Sequence, residues 1–191
     1  MSRPVLQVIA ASTRPGRRGI AVAHWLQQFA EEHGGFEVEL IDLAEEGLPL
    51  FDEPRHPRLQ QYAHQHTKDW SATVSRADAF AFVTPEYNHS FPASLKNALD
   101  YLSMEWADKP VGLVSYGGVS AGLRAATALK PVLAALRMVP VVEAVSIPFF
   151  AEHIDADGEF KPSTQTEVGA KAMLDELVRL ATALRGLRET A

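Results

Sequence analysis

Five times along this chain a short apolar run gives way to a stretch whose apolar residues recur every three or four positions. Residues 5–11 are rich in β-branched side chains and lead to a helical stripe of Val22, Trp25, Leu26, Phe29 and Ala30, which Gly34 and Gly35 stop. Residues 36–43 alternate as a second strand. Residues 44–57, with three prolines and little periodicity, read as a long surface loop. A polar, moderately helical stretch carrying Tyr62, Trp70 and Val74 follows and leads to a third strand at residues 79–83. Behind that strand a helix shows Leu95, Ala98, Leu99 and Leu102 on one side, with Ser90 as its expected N-cap and Pro92 in its first turn. A fourth strand at residues 111–115 precedes a helix to about residue 137. The fifth strand, residues 139–147, is expected to bend at Pro140. After a loop with a turn signal at Asp155-Ala156-Asp157-Gly158, the last helix spans residues 166–187.

Apolar strands alternating with helices require a parallel sheet covered on both faces. With five strands the expected architecture is a doubly wound α/β sheet of order 2-1-3-4-5, the flavodoxin-like winding. At 191 residues the chain is read as a single domain, 1–191, large enough to bury a core.

Several functions are disfavoured before any motif is weighed. With 18 basic against 24 acidic residues, a net charge of −6, neither nucleic acid nor an anionic membrane is the expected partner. The absence of cysteine removes disulfides, thiolate nucleophiles and Cys-ligated metals. No apolar run approaches the roughly 20 residues of a membrane span. Met1-Ser2-Arg3-Pro4 runs straight into a strand without a signal-peptide pattern, so the expected location is cytoplasmic. His64 and His66, with His56 nearby, are read as solvated surface residues, because a His-x-His spacing on a helix does not bring both rings to one face; no metal is expected.

In such a sheet the loops after strands one, three and four open on the same edge. The first, residues 12–19, supplies Ser12 and Thr13, three arginines and two glycines ahead of a helix N-terminus, a setting suited to a phosphate. It contains neither G-x-G-x-x-G nor G-x-x-x-x-G-K-[ST], which leaves a terminal phosphate monoester rather than a dinucleotide or a P-loop triphosphate. The third-strand loop carries Glu86, Tyr87 and Asn88, an aromatic ring and an amide that a simple reversal does not need. His89 behind them is read as a cap for the following helix. The fourth-strand loop, Ser115 to Gly118, is small enough for backbone to approach a flat ring. A phosphate, a connecting chain and a planar ring, in that order, have the outline of flavin mononucleotide.

These motifs resemble the NADPH-dependent FMN reductase family, flavodoxin-like flavoproteins that include quinone, chromate and azo-dye reductases. The resemblance spans nearly the whole chain. It is carried by Ala11-Ser12-Thr13-Arg14 with the following glycines, Pro85-Glu86-Tyr87-Asn88, Lys96-Asn97-Ala98-Leu99-Asp100-Tyr101, and Gly117-Gly118. It implies that Ser12, Arg14 and Arg17 hold the FMN phosphate. Pro85, Glu86, Tyr87 and Asn88 would line the ribityl chain and isoalloxazine, mostly through backbone, and Ser115, Gly117 and Gly118 would face the other edge of the ring. Many relatives place a serine or asparagine where this chain has Arg17 and Gly19.

The implied activity is two-electron transfer in ping-pong order from NADPH or NADH, through flavin N5, to a small acceptor such as a free flavin, quinone, azo dye or oxyanion. No catalytic side chain is then required. The resemblance also implies a homodimer or homotetramer, with the helices after strands three and four at the interface. One alternative is a flavodoxin-type electron carrier without its own NAD(P)H turnover, but a carrier should show a dense acidic docking face and a charge of −6 over this length is mild. A second alternative is a phosphate-ester-binding α/β protein without flavin.

Overall fold

In the computed structural model, which describes residues 3–189, the apolar runs pair into one parallel sheet. Met1, Ser2, Thr190 and Ala191, and with them the start of the N-terminal reading, lie outside the described residues. Strands β1 (Val5–Ala10), β2 (Glu37–Asp42), β3 (Ala79–Pro85) and β4 (Pro110–Tyr116) stand in the order β2-β1-β3-β4. The fifth position is split between β5 (Val139–Pro140) and β6 (Val145–Ile147), each parallel to β4. The N–H that Pro140 lacks would face away from β4; the ladder continues to the Val141 N–H, which donates to Val111 O at 3.0 Å, and the chain then leaves the sheet to return at Val145 opposite Val114. The bend expected at Pro140 is thus an interruption.

Side chains alternate across the sheet and sort the helices into two layers. Leu6, Val8, Ala79, Ala81 and Val114 pack against α1 (Ile20–His33) and α6 (Thr164–Glu189), through Leu26 on the first and Met173, Leu174 and Leu177 on the second. Ile9, Phe80, Phe82 and Leu113 face α3 (Gln65–Ser75), α4 (Ala93–Asp100) and α5 (Leu123–Ala135). On that side Trp70 and Trp106 are buried, and each indole N–H has an acceptor, Ala98 O at 2.9 Å and Leu99 O at 3.2 Å. Burial of such rings therefore leaves no unpaired donor.

Three local readings change. The loop after β2 opens with a single helical turn, α2 (Leu43–Glu46), because the Asp42 carboxylate accepts the Ala44 N–H at 3.0 Å. Ser90 does not cap α4. Pro92 occupies the N-cap position with extended backbone, while Ser90 closes a tight turn by exchanging backbone hydrogen bonds with Tyr87 at 2.8 and 3.0 Å. His64 and His66 do share one face: His64 is extended ahead of α3, so its ring stacks on His66 at 5.2 Å between centroids, and both rings approach Asp52. Among the described residues no group of three or more His, Asp or Glu side chains could hold a metal ion. No described helix is long and apolar enough to cross a membrane.

Candidate functional site

The winding reverses between β1 and β3, where the chain leaves to opposite faces of the sheet and the loops part. A cleft of about 580 Å³ opens there, a size suited to a small-molecule cofactor. The three loops expected to meet do meet. Ser12, Arg14 and Arg17 line one end, Pro85, Glu86 and Tyr87 one wall, and Gly117 and Gly118 the far side.

The first loop is rich in donors that the protein leaves open. Between Ser12 and Gly19 a single main-chain N–H, that of Arg17, finds an acceptor among the described residues, Arg14 O at 3.1 Å. The loop is held instead by side chains. Ser12 Oγ lies 2.8 Å from the Tyr87 hydroxyl, Arg17 pairs with Asp42 at the end of β2, and Arg18 reaches Ile154 O at 3.4 Å. Arg14 is exposed and makes no ion pair or side-chain hydrogen bond with any described residue. The Arg17 Nε atom is buried without a partner. Free N–H groups at the start of a helix, one uncompensated guanidinium and a second guanidinium with only one nitrogen engaged are the donor set a phosphate needs. These residues fit a phosphorylated cofactor.

The wall beside them is set by backbone conformation. Asn88 (φ 49°) and His89 (φ 69°) are both left-handed, so residues 87–90 form the kind of two-residue reversal that needs positive φ at both central positions. Asparagine tolerates that region better than most residues. Asn88 does not line the cleft, and its side chain is accounted for by the turn it permits. His89 is not a helix cap; Arg124 donates to its Nε2 at 2.9 Å. Arg124 also donates to Glu86 through Nε at 2.6 Å and through its backbone N–H at 3.1 Å, and Ser120 Oγ donates to the same carboxylate at 3.0 Å. Burial acts to raise the Glu86 carboxyl, but these bonds outweigh it and hold it below the usual carboxylate range. The Glu86 side chain therefore ties the third loop to the fourth, while its backbone borders the cleft.

Ser115 also lies outside the cleft lining. Its buried hydroxyl donates to Ala121 O at 2.8 Å and shapes the turn that carries Gly117 and Gly118. A Cβ on Gly118 would stand in open space, so that backbone is bare toward the cleft. Gly19 is required by contact: a Cβ there would overlap the Tyr116 hydroxyl. Burial, then the neighbouring Tyr87, push the Tyr116 phenol far above its ordinary range, so it remains a neutral hydroxyl in the cleft floor.

Tyr116 and residues 149–152 line the cleft without having been expected to. Phe149 and Phe150 reach it because their N–H groups bond Gly118 O and Gly117 O, both at 3.1 Å. Their signal was present: two aromatics follow the last strand at its carboxyl end, the position that singled out the other loops.

Comparison with known proteins agrees with this arrangement. The pattern describing the NADPH-dependent FMN reductase family matches residues 5–152. The chain belongs to that family. Membership makes it an oxidoreductase that works with FMN and a nicotinamide coenzyme. An NAD(P)H-dependent FMN reductase of Schizosaccharomyces pombe is 40% identical over 149 residues, covering 76% of this chain and 74% of that one. An NADPH azoreductase of a Bacillus species is 33% identical over 146 residues, 75% of each chain. Among solved structures, the flavoenzyme NAD(P)H:(acceptor) oxidoreductase FerB of Paracoccus denitrificans superposes with a TM-score of 0.75. It covers 94% of this chain and 98% of its own, at 24% identity, a likeness of fold.

Proposed function

We propose that the chain is an FMN-dependent NAD(P)H reductase in which the loop after β1 holds the cofactor phosphate and the loops after β3 and β4 flank its ring. The observation that carries this reading is the set of N–H groups between Ser12 and Gly19, all but that of Arg17 without an acceptor among the described residues, beside an uncompensated Arg14 at one end of a cleft of about 580 Å³. Ser12, Arg14 and Arg17 take the phosphate end. Pro85, Glu86 and Tyr87 border the chain and ring, and Gly117 and Gly118 the opposite edge. Asn88 and Ser115 serve the same site through the turns they shape.

When bound, FMN supplies the relay of two electrons from the coenzyme to an acceptor, so no side chain is needed as nucleophile or acid–base pair. The protein's own part is to bind, orient and leave a face open. In the flanking loops the Glu86, Tyr87 and Gly117 N–H groups are spent on Tyr116 O, Ser90 O and Ile147 O, and the Gly118 N–H is the donor left able to stabilise negative charge without reorganising. Phe149, 49% exposed at the mouth, and Tyr87 offer apolar surface to a flat partner. A single mouth serves coenzyme and acceptor in turn, which is the ping-pong order. The acceptor class is a free flavin, quinone, azo dye or small oxyanion.

The same reading makes residues 1–191 one domain of a cytoplasmic enzyme. It also makes α4 and α5 an interface in a homodimer or homotetramer, supported by exposed Leu123 at the start of α5 and exposed Val119 in the loop before it. The test is addition of NADPH to the FMN-loaded protein without oxygen. Rapid loss of yellow absorbance in one two-electron step is expected, and a slow or absent response would favour an electron carrier instead.

A further inference from the structure

We infer that Asp42, a residue outside the cleft lining, is a positioning residue for the phosphate end of the site: it fixes the Arg17 guanidinium so that a directed N–H, rather than net charge, meets the phosphate. The inference rests on the proposed placement of that phosphate in the loop after β1. Asp42 closes β2, and its two carboxylate oxygens have separate tasks. Oδ1 accepts the Ala44 N–H at 3.0 Å and starts α2, while Oδ2 accepts from one terminal nitrogen of Arg17. The pair is well shielded, with side-chain exposures of 21% for Arg17 and 9% for Asp42.

Arg17 is left with its charge matched and one edge unused. Its other terminal nitrogen, Nη1, is neither buried nor bonded to any described residue, on a residue that lines the cleft. A guanidinium held by an ion pair on one nitrogen presents a directed donor on the other, and a phosphate oxygen suits it. Arg17 is also the residue whose main-chain N–H closes the turn back to Arg14 O at 3.1 Å. Holding its side chain therefore holds the segment that carries Arg14. Arg14, with no counter-ion among the described residues, supplies the net charge, and Arg17 supplies the direction.

Two effects of Asp42 on a bound phosphate oppose each other, which makes the inference testable by sign. Its negative charge repels the phosphate, whereas its grip on Arg17 presents a donor to it. Asp42→Asn keeps an oxygen able to cap Ala44 and weakens the hold on Arg17. Arg17→Lys keeps a cation opposite Asp42 and deletes the second arm of the guanidinium fork. The measurement is the dissociation constant of the full-length chain, stripped of flavin, for FMN and for riboflavin, read by quenching of flavin fluorescence.

Each variant should weaken FMN about tenfold, the scale of one hydrogen bond to a charged group, and leave riboflavin unchanged. Tighter FMN binding by Asp42→Asn would show that charge repulsion is its main effect and overturn the inference. Equal weakening of both flavins would show a merely structural role and overturn it too. Arg14→Ala, measured alongside, separates the two levels of the argument. If it changes the FMN-to-riboflavin ratio and Asp42→Asn does not, the positioning role alone fails. If Arg14→Ala leaves that ratio unchanged, the phosphate does not sit in this loop and the parent reading fails with it.

Discussion

The two edges of the sheet are built from the same strands and matched to opposite degrees. At the amino edge polar groups are paired tightly. Asp78 accepts the Val5 N–H at 3.0 Å and an Arg188 nitrogen at 2.7 Å, and Arg188 also reaches Asp108 O at 3.1 Å. Lys109, 5% exposed, donates to Val74 O and Ser75 O at 3.0 and 3.3 Å, closing the end of α3. At the carboxyl edge the loop from Ser12 to Gly19 leaves all its N–H groups but that of Arg17 without an acceptor among the described residues, two consecutive residues of the next loop are left-handed, and Arg14 has no counter-ion among the described residues. One edge spends its polar groups on the fold, and the other holds them for a ligand. Stability and binding should therefore be separable by mutation.

Asp78→Ala puts the largest strain on that separation. It strips Arg188 and the Val5 N–H of their acceptor, and after solvent screening of a partly exposed pair should cost about 3 kcal/mol in urea unfolding. Flavin affinity should not change; a parallel fall would show that the edges are coupled.

Next in size is a pH effect confined to the amino edge. Burial, then the nearby Arg188, lower the Lys109 ammonium to about 8, against partial opposition from Asp78 and Glu105. Below pH 8 both folded and unfolded chains carry this charge, and the cost of burying it is felt in full. Between about pH 8 and 10 the unfolded chain holds more protons, so stability should rise, by at most about 1.4 kcal/mol per pH unit from this group. Tyr101, held up at about 12 by burial and Asp52, acts in the opposite sense only above pH 10. Lys109→Met should remove the rise in a series of denaturant melts. A rise that persists in that variant would assign it to another group.

At the carboxyl edge Arg14→Ala should weaken FMN about tenfold, or roughly 1.4 kcal/mol, without lowering the melting temperature. Loss of stability would show that this edge also carries the fold. The smallest effect belongs to the reversal at residues 87–90. Asn88→Gly should be nearly neutral, whereas Asn88→Val, forced to positive φ, should cost about 1 kcal/mol in thermal unfolding. Equal behaviour of the two would deny that backbone shape is the task of Asn88.

The architecture was legible because short apolar runs alternate cleanly with period-3.6 patterns; the strand order was the usual winding for five such strands, since the alternation does not show which strands are neighbours. The split of the fifth strand and the turn at Leu43–Glu46 were not: the turn hangs on one side-chain hydrogen bond that a window of residues averages away, and no residue pattern between Val139 and Ile147 marks where the chain leaves the sheet. Residues that line the cleft were legible where the chemistry is local, as in the arginine-rich loop. Sequence could not show that Arg17 is tied to Asp42, that Ser115 is turned to Ala121, or that the Glu86 carboxylate is taken by Arg124, because each partner lies on a different element. Residues 149–152 needed the return of β6 beside β4 to reach the cleft.

The most direct trial of the account is a crystal structure of the chain grown with FMN. The phosphate should lie within hydrogen-bonding distance of the main-chain N–H groups between Ser12 and Gly19 and of Arg14, with the ring between Tyr87 and Gly118. A phosphate bound anywhere else, or a ring seated in the arginine loop, would contradict it.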